Sequence, residues 1–555
     1  MRRPLRAALI AAGIAALVTI PGLGNGTLWD NSETAYGEVA REILLTHDWV
    51  VMHLNGLPWF VQPPLYFWIA AIFAKVFGVT SFALRLPAAL STIVMGGLTA
   101  YAVARQAGTR AGLYAGVVLS TCLMQAVVGR LAIMDALLDL TVAFTIFWWF
   151  RAVQTGRDRY FIYGWIATAL GFLAKGPVAP VIALLVIVPY YFWERRVSHA
   201  HVPSWRSWIG GIALFLLIVA PWFAALISAT GMHAVFRLIG HYTIGRYTGT
   251  IENQSGPMWY YLPVIILGFF PWIAFFPSAI AHAIDRLKAA AGDDTERNVQ
   301  QMVRLSFTWI VVPLIFFSFA KTKLPNYIAL ELPAFAVLVA LYFDSVVERV
   351  RRRSALISTA AVPIFILLLG IAIVWFSRDN RLTGTLQDVA GNLMYVGGAI
   401  FVGSIAAFFT LLGPARSRPA APYVLGVSMV VAVGFLAVLA LPQAERFKPV
   451  PHLAQVINQR RSATDAIAII NVAGGNALLF YTRPRIYVLK DHDDGRSLIC
   501  SVPRTWLVGP RDGYVPELGR APKIVARWGK DDLYLYEEHR GCGALRDLRI
   551  TAPTS

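Results

Sequence analysis

The chain alternates long apolar blocks with short polar turns that are mostly basic. Most blocks approach about 20 residues, the length an α-helix needs to cross a hydrocarbon core of roughly 30 Å. They fall near Leu5–Leu23, Phe82–Ala104, Ala111–Val128, Ile133–Phe150, Tyr160–Leu173, Pro177–Trp193, Ser207–Ala229, Met258–Ile280, Leu305–Ala320, Pro325–Phe343, Ala355–Phe376, Met394–Leu412 and Tyr423–Leu441. The pattern predicts a polytopic α-helical membrane protein with about 13 transmembrane helices. Pro64–Phe77 is a shorter apolar stretch. Counting it as a span would put Arg105 and Arg110 outside and invert every later loop, so it is read as a helix lying in the interface. Arg2, Arg3 and Arg6 before the first block resemble a signal peptide, but Pro21-Gly-Leu-Gly-Asn25 is a poor cleavage site, and an uncleaved first helix is expected.

With the first arginines inside, Gly24 to about Ser81 is a long external loop with a helix-like stretch over Glu33–Leu45. Inside turns then collect Arg105 and Arg110, Arg151, Arg157 and Arg159, Arg195 and Arg196, and Arg351-Arg-Arg353, as the positive-inside rule demands. An odd number of spans puts the C-terminal tail outside. From about Pro442 the pattern changes to a helical Leu453–Arg460 and short β-rich runs: Ala466–Val472, Ile486–Leu489, Thr505–Val508, Lys523–Arg527 and Leu533–Tyr536. The division expected is a membrane domain over 1–441, carrying the loop 24–81, and a small extracytoplasmic α/β domain over 442–555.

Composition agrees with the pattern. The chain is 57% hydrophobic and only 14% charged, whereas globular domains run near 25% charged, which excludes a soluble fold. The formal net charge of +18 is explained by the inside turns, without nucleic acid. Cys122 lies in an apolar block; Cys500 and Cys542 lie in the tail, where an oxidising compartment would permit a disulfide.

The remaining polar residues concentrate at one membrane face: Asp30, Glu33, Tyr36, Gln62, Arg85, Arg130, Asp135, Lys175, His241, Arg246, Lys321, Lys323, Asn326 and Tyr327. A conducting pathway would scatter ionisable groups through the bilayer. Concentration at one face points instead to a reaction or binding site at the boundary with water. Several of these residues also have structural readings. Asp30 and Glu33 have the spacing of an N-cap and its N3 partner. Lys321 and Lys323 could be interfacial anchors. Asp135 and Asp139 share a helix face at i,i+4, with Asp139 a turn deeper, where it could pair with Arg130. Glu331 sits inside a span on the face of Tyr327 and is expected to pair with a basic group.

Asn31-Ser-Glu-Thr-Ala-Tyr-Gly-Glu-Val-Ala-Arg-Glu-Ile43, Asp48-Trp-Val50 and Trp59-Phe-Val-Gln-Pro-Pro-Leu-Tyr-Phe-Trp68 together resemble the first external loop of bacterial family 39/83 glycosyltransferases of the GT-C class. That group includes aminoarabinose transferases acting on lipid A and is related to protein O-mannosyltransferases. Ala83-Leu-Arg-Leu-Pro87, Leu173-Ala-Lys-Gly-Pro-Val178, His241 through Ile244-Gly-Arg-Tyr-Thr-Gly249 to Pro263, and Lys321-Thr-Lys-Leu-Pro-Asn-Tyr327 follow in the same order. The resemblance implies thirteen membrane helices, an external C-terminal domain, and transfer of a sugar from a polyprenyl-phosphate donor to a lipid, glycan or protein acceptor at the outer face of the bacterial cytoplasmic membrane.

Such a donor needs cations at headgroup height. Lys321, Lys323, Arg246, Lys175 and Arg85 are the candidates for its phosphate, with Tyr327 beside them. Asp30, Glu33 or Asp135 would act on the acceptor, and Tyr36, Gln62, Asn326 and Trp259 would contact substrate. His241 matches a metal ligand of some relatives, so a divalent cation is an expectation here. Two departures remove charge: Ser32-Glu33 stands where the family has Asp-Glu, and Val61-Gln62 where it favours an acid and Lys. The alternative reading is a non-catalytic carrier or binding protein for polyprenyl lipids that kept the fold.

Overall fold

The computed structural model describes residues 2–29, 32–198, 200–250, 254–347, 352–377, 385–472, 475–483, 485–489, 492–511, 523–528 and 531–537. Asp30, a candidate carboxylate, and Cys542 lie outside them. The chain divides into two compact units, one of residues 1–25, 60–69 and 85–440, the other of residues 26–59, 70–84 and 441–555.

The first unit is helical, as the apolar blocks predict. Among the described residues nine helices are long and apolar enough to cross a membrane, and a pair bent by 105°, Met258–Gly268 and Trp272–Lys288, brings the number to ten if counted as one span. Three of the 13 predicted blocks fall outside this measure of length and composition, each for a local reason. Arg2–Thr19 and Asp158–Lys175 each carry three charged residues within 18 positions. The 111–128 block breaks at Cys122, whose extended backbone separates Thr109–Thr121 from Leu123–Val128. Pro64–Phe77, which was not counted as a span, forms Leu65–Phe77, at 13 residues too short to cross.

Burial separates central helices from peripheral ones. The Pro325–Val346 span is 94% buried, whereas Trp205–Thr230 is 17% buried and turns Leu216 and Leu217 outward. With no hydrophobic drive between helices in lipid, close approach and satisfied polar groups hold such a bundle. A Cβ on Gly164 would fall 2.2 Å from Trp149, so only glycine lets this indole lie against the neighbouring helix. Its N–H donates to Phe161 O at 3.1 Å, and the buried Trp309 N–H donates to Leu330 O at 2.9 Å.

Arg130 and Arg85 fix the exit of the first helix. Arg130 donates to Val18 O (2.9 Å), Thr19 O (3.0 Å) and Pro21 O (2.7 Å), and Arg85 donates to Leu23 O and Asn25 O, both at 3.1 Å. Carbonyls at and beyond a helix C-terminus lack intrahelical partners and carry partial negative charge, which two guanidinium groups satisfy. Arg130 is therefore not the partner of Asp139, as the sequence suggested.

The second unit holds the tail together with much of the loop that the sequence assigned to the membrane domain. Its five-stranded sheet runs in the order Tyr487–Leu489, Ala466–Ile470, Thr505–Pro510, Asp531–Tyr536, Lys523–Trp528. The first three strands are parallel and the last two pair antiparallel. Helices Gly475–Thr482 and His492–Ser501 make the crossovers, and Pro449–Arg460 lies where a helix is predicted. Cys500 is disulfide-bonded. Within this unit Leu28 N–H donates to the Tyr481 hydroxyl at 2.7 Å, and Asn55 exchanges hydrogen bonds with the Ile486 backbone at 2.9 and 3.1 Å. Asn55 and Gly56, at φ 57° and 72°, make the Asn-Gly turn of a hairpin pairing His53–Leu54 with Leu57–Pro58.

Candidate active site

A cavity of about 330 Å³ opens in the first unit where the start of Asp135–Thr155 meets the end of Asp158–Lys175. The two helices are antiparallel neighbours, so the first residue of one and the last of the other share an end. A carboxylate at a helix N-terminus and an ammonium at a C-terminus each complement the local dipole. Here they also meet: Lys175 Nζ lies 2.5 Å from Asp135 Oδ1, both largely shielded from water. The ammonium stands 5.4 Å from the ring centroid of Tyr327, which the Pro325–Glu331 3₁₀ turn brings to the cavity.

Arg246 enters from Gly245–Thr248, and backbone bonds tie that segment to residues 320–323. Thr322 N–H donates to Arg246 O and Lys321 N–H to Tyr247 O, both at 3.1 Å, and the Thr322 hydroxyl donates to Gly249 O at 2.9 Å. Gln62, Asn326 and Asp139 complete the polar lining, while Leu138, Val178, Val181, Phe316 and Phe317 form an apolar wall. Asp139 is buried one turn below Asp135, and its Oδ2 has no hydrogen-bond partner among the described residues. The volume suits a small polar group, and the arrangement offers an anion two cations beside a carboxylate, with apolar surface adjoining.

Of the sequence candidates, Asp135, Lys175, Arg246, Gln62, Asn326 and Tyr327 converge on this cavity. Others do not. Arg85 is engaged by carbonyls of the first helix exit and does not line the cavity. Lys323 is buried and donates from Nζ to Ala320 O, while Lys321 is exposed, and neither lines the cavity. Trp259 is exposed and lies off it.

Glu33 and Tyr36 belong to the second unit. Glu33 is buried and its Oε2 accepts from Trp29 N–H at 2.7 Å, four residues back in the chain. Tyr36 packs edge-on to Trp59 with centroids 6.1 Å apart. His241 is exposed, its ring against Tyr242, and among the described residues no three His, Cys, Asp or Glu side chains converge as a metal site. Glu331 is fully buried and, contrary to the expected ion pair, neither carboxylate oxygen has a hydrogen-bond partner among the described residues. Thr322, Tyr242 and Tyr247 line the cavity without having been singled out, and Asp139, noted in the sequence only for its spacing from Asp135 and a pairing with Arg130, lines it too.

Residues 61–240 match the family described as dolichyl-phosphate-mannose-protein mannosyltransferase. The chain is 32% identical over 359 residues to an undecaprenyl phosphate-alpha-4-amino-4-deoxy-L-arabinose arabinosyl transferase of Pseudomonas aeruginosa, a match covering 62% of this chain and 59% of that protein. A protein of the same name from Shewanella sediminis is 28% identical over 371 residues, covering 65% and 64%. The chain thus spans about three fifths of the length of the curated relatives it matches. In structure it is similar to ArnT from Cupriavidus metallidurans bound to undecaprenyl phosphate, with TM-score 0.78, 21% identity, and coverage of 97% of this chain and 99% of that one. The archaeal oligosaccharyltransferase AglB from Archaeoglobus fulgidus is more distant, at TM-score 0.51 and 11% identity. The chain is a multi-pass helical membrane protein with the fold of that Cupriavidus structure, and its resemblance to membrane glycosyltransferases holds in both sequence and fold.

Proposed function

We propose that the protein is a glycosyltransferase that moves a sugar from a polyprenyl-phosphate donor to an envelope acceptor, the lipid A class first, at the outer face of the bacterial inner membrane. The cavity that joins Asp135 and Lys175 to Arg246 and Tyr327 carries the reading. The names of its relatives and the undecaprenyl phosphate bound to its structural neighbour agree with it. The extracytoplasmic placement rests on the basic turns at the opposite membrane face and on the disulfide at Cys500, which belongs to an oxidising compartment.

The chemistry follows from the charges. An acceptor oxygen attacks the anomeric carbon, the bond from that carbon to the phosphate oxygen breaks, and the acceptor proton must leave. Lys175 and Arg246 carry the charge that develops on the departing phosphate. Asp135 receives the proton. The Lys175–Asp135 bond loosens as the donor phosphate docks, because phosphate competes for the same ammonium, and this frees the carboxylate when it is needed.

The test is transfer in reconstituted vesicles carrying an undecaprenyl-phosphate-linked sugar and lipid A. Wild type should transfer, and Asp135→Asn should lose transfer by roughly a hundredfold or more while still binding donor. Donor binding with no transfer by wild type would favour the carrier reading. Wild-type rates from Asp135→Asn would remove Asp135 from the reaction.

A further inference from the structure

We propose a second anion site at the arginine-rich face of the first unit: a pocket for a phosphate group, borne by an anionic lipid headgroup or supplied as free phosphate. A cavity of about 120 Å³ lies between the end of Ser81–Ala107, the end of Asp135–Thr155 and the start of Asp158–Lys175. Arg105, Gln106, Arg151 and Tyr160 give it a polar rim, and Leu98 and Phe147 an apolar floor. At 1.5 Å per residue Arg151 is about 24 Å along its helix from Asp135, so this pocket and the candidate active site belong to opposite faces of the membrane.

An arginine in the last turn of a helix, as Arg105 is, is expected from the dipole alone, and Arg151 sits just short of that turn in its own helix. Their convergence on one cavity is not expected on that ground. Arg105 is close enough for its charge to act on Arg151. Neither pairs with a carboxylate among the described residues, and three acids at this end have other partners. Asp158 accepts from the Ser204 hydroxyl at 2.7 Å, Asp344 from Arg110 at 2.5 Å, and Glu194 from Arg304 at 2.7 Å and Gln301 at 2.9 Å.

Arg151 is also positioned. It donates to Gln154 Oε1 at 2.8 Å, Gln154 donates to Gln301 at 2.6 Å, and Gln301 donates to the buried Glu194, while the guanidinium stands 5.8 Å from the Tyr160 ring centroid. Two like charges held together around empty space call for an anion, and the planar donor fork of arginine matches phosphate oxygens. A cavity of about 120 Å³ has room for a phosphate group. Basic pockets between helices on such a face are suited to lipid headgroups.

Native mass spectrometry and thermal unfolding of the full chain in detergent test this, with phosphatidylglycerol, inorganic phosphate and neutral diacylglycerol as probes. Wild type should retain one phosphatidylglycerol that diacylglycerol does not replace, and each of Arg105→Gln and Arg151→Gln should weaken it roughly tenfold. Arg157→Gln, an exposed arginine at the same face that does not line the pocket, should bind as wild type. Stabilisation by phosphatidylglycerol alone assigns the site to a lipid, and stabilisation of lipid-free protein by inorganic phosphate assigns it to the free ion. The proposal fails if diacylglycerol binds equally, if the Arg105/Arg151 double variant binds both phosphate probes like wild type, or if Arg157→Gln weakens binding as much. Should the double variant not fold, Arg105→Gln decides alone, because Arg105 is exposed.

Discussion

Arg85 and Arg246 look alike in the sequence, each a cation near an outer end of the apolar pattern, yet they face different partners. Arg85 is aimed at Leu23 O and Asn25 O, whereas Arg246 lines the cavity with Asp135 and Lys175. The pair gives a contrast that kinetics can read. Arg246→Gln removes one charge-assisted contact to the donor phosphate and should raise the donor KM by roughly tenfold or more. Arg85→Gln should leave that KM unchanged and lower the unfolding temperature in detergent, because buried carbonyls lose their donor. A KM rise with Arg85→Gln and none with Arg246→Gln would reverse the two assignments. This is also where sequence legibility stops at the residue scale. Residue type and topology identify cations at one face, but which carbonyl or cavity a guanidinium reaches depends on rotation and packing of helices far apart in sequence. Asp135 was legible because it begins a span next to the end of another, and Asp139 was half legible through its spacing.

At the scale of single elements the apolar periodicity was sufficient where an element is regular. Glu33–Leu45 is predicted helical and Ser32–Thr46 is observed, and the tail strands fall within a few residues of their predicted runs. It was insufficient where a span breaks, at Cys122 and between Gly268 and Trp272, because an apolar run carries no mark of where helices must bend to pack. The Ser32–Thr46 helix hides one further property. Glu38 is buried beside Arg41, whose Nε donates to it at 2.8 Å, and Arg41 also reaches Arg483 O at 3.2 Å. Burial pushes the Glu38 carboxyl up from 4.5 to about 7, against the opposing pull of Arg41. The folded state therefore holds this proton more tightly than the unfolded chain. The associated stability is full below about pH 4.5 and is lost as the pH rises through about 7. Unfolding of the second unit followed from pH 5 to 8 should show this decline, and Glu38→Gln should flatten it. An equal decline in the variant would place the titration elsewhere.

For the whole molecule, the proposed reaction makes a claim about the cell envelope that no single residue makes. A transferase must leave a product, whereas a carrier that kept the fold leaves none. Mass spectrometry of envelope lipids and glycans with and without the gene should show one set of glycoconjugates lost, and the mass difference would give the sugar and the acceptor together. Complementation sharpens the inference. Wild type should restore the set and Asp135→Asn should not, although both proteins reach the membrane at the same level. Arg105→Gln should restore it as well, since Arg105 lies about a membrane thickness from the Asp135–Lys175 pair. If deletion changes no glycoconjugate, the transferase reading falls whatever the cavity holds. If Asp135→Asn restores the set, transfer survives as the function and the carboxylate that serves it lies elsewhere, with Asp139 in the same cavity as the next residue to replace.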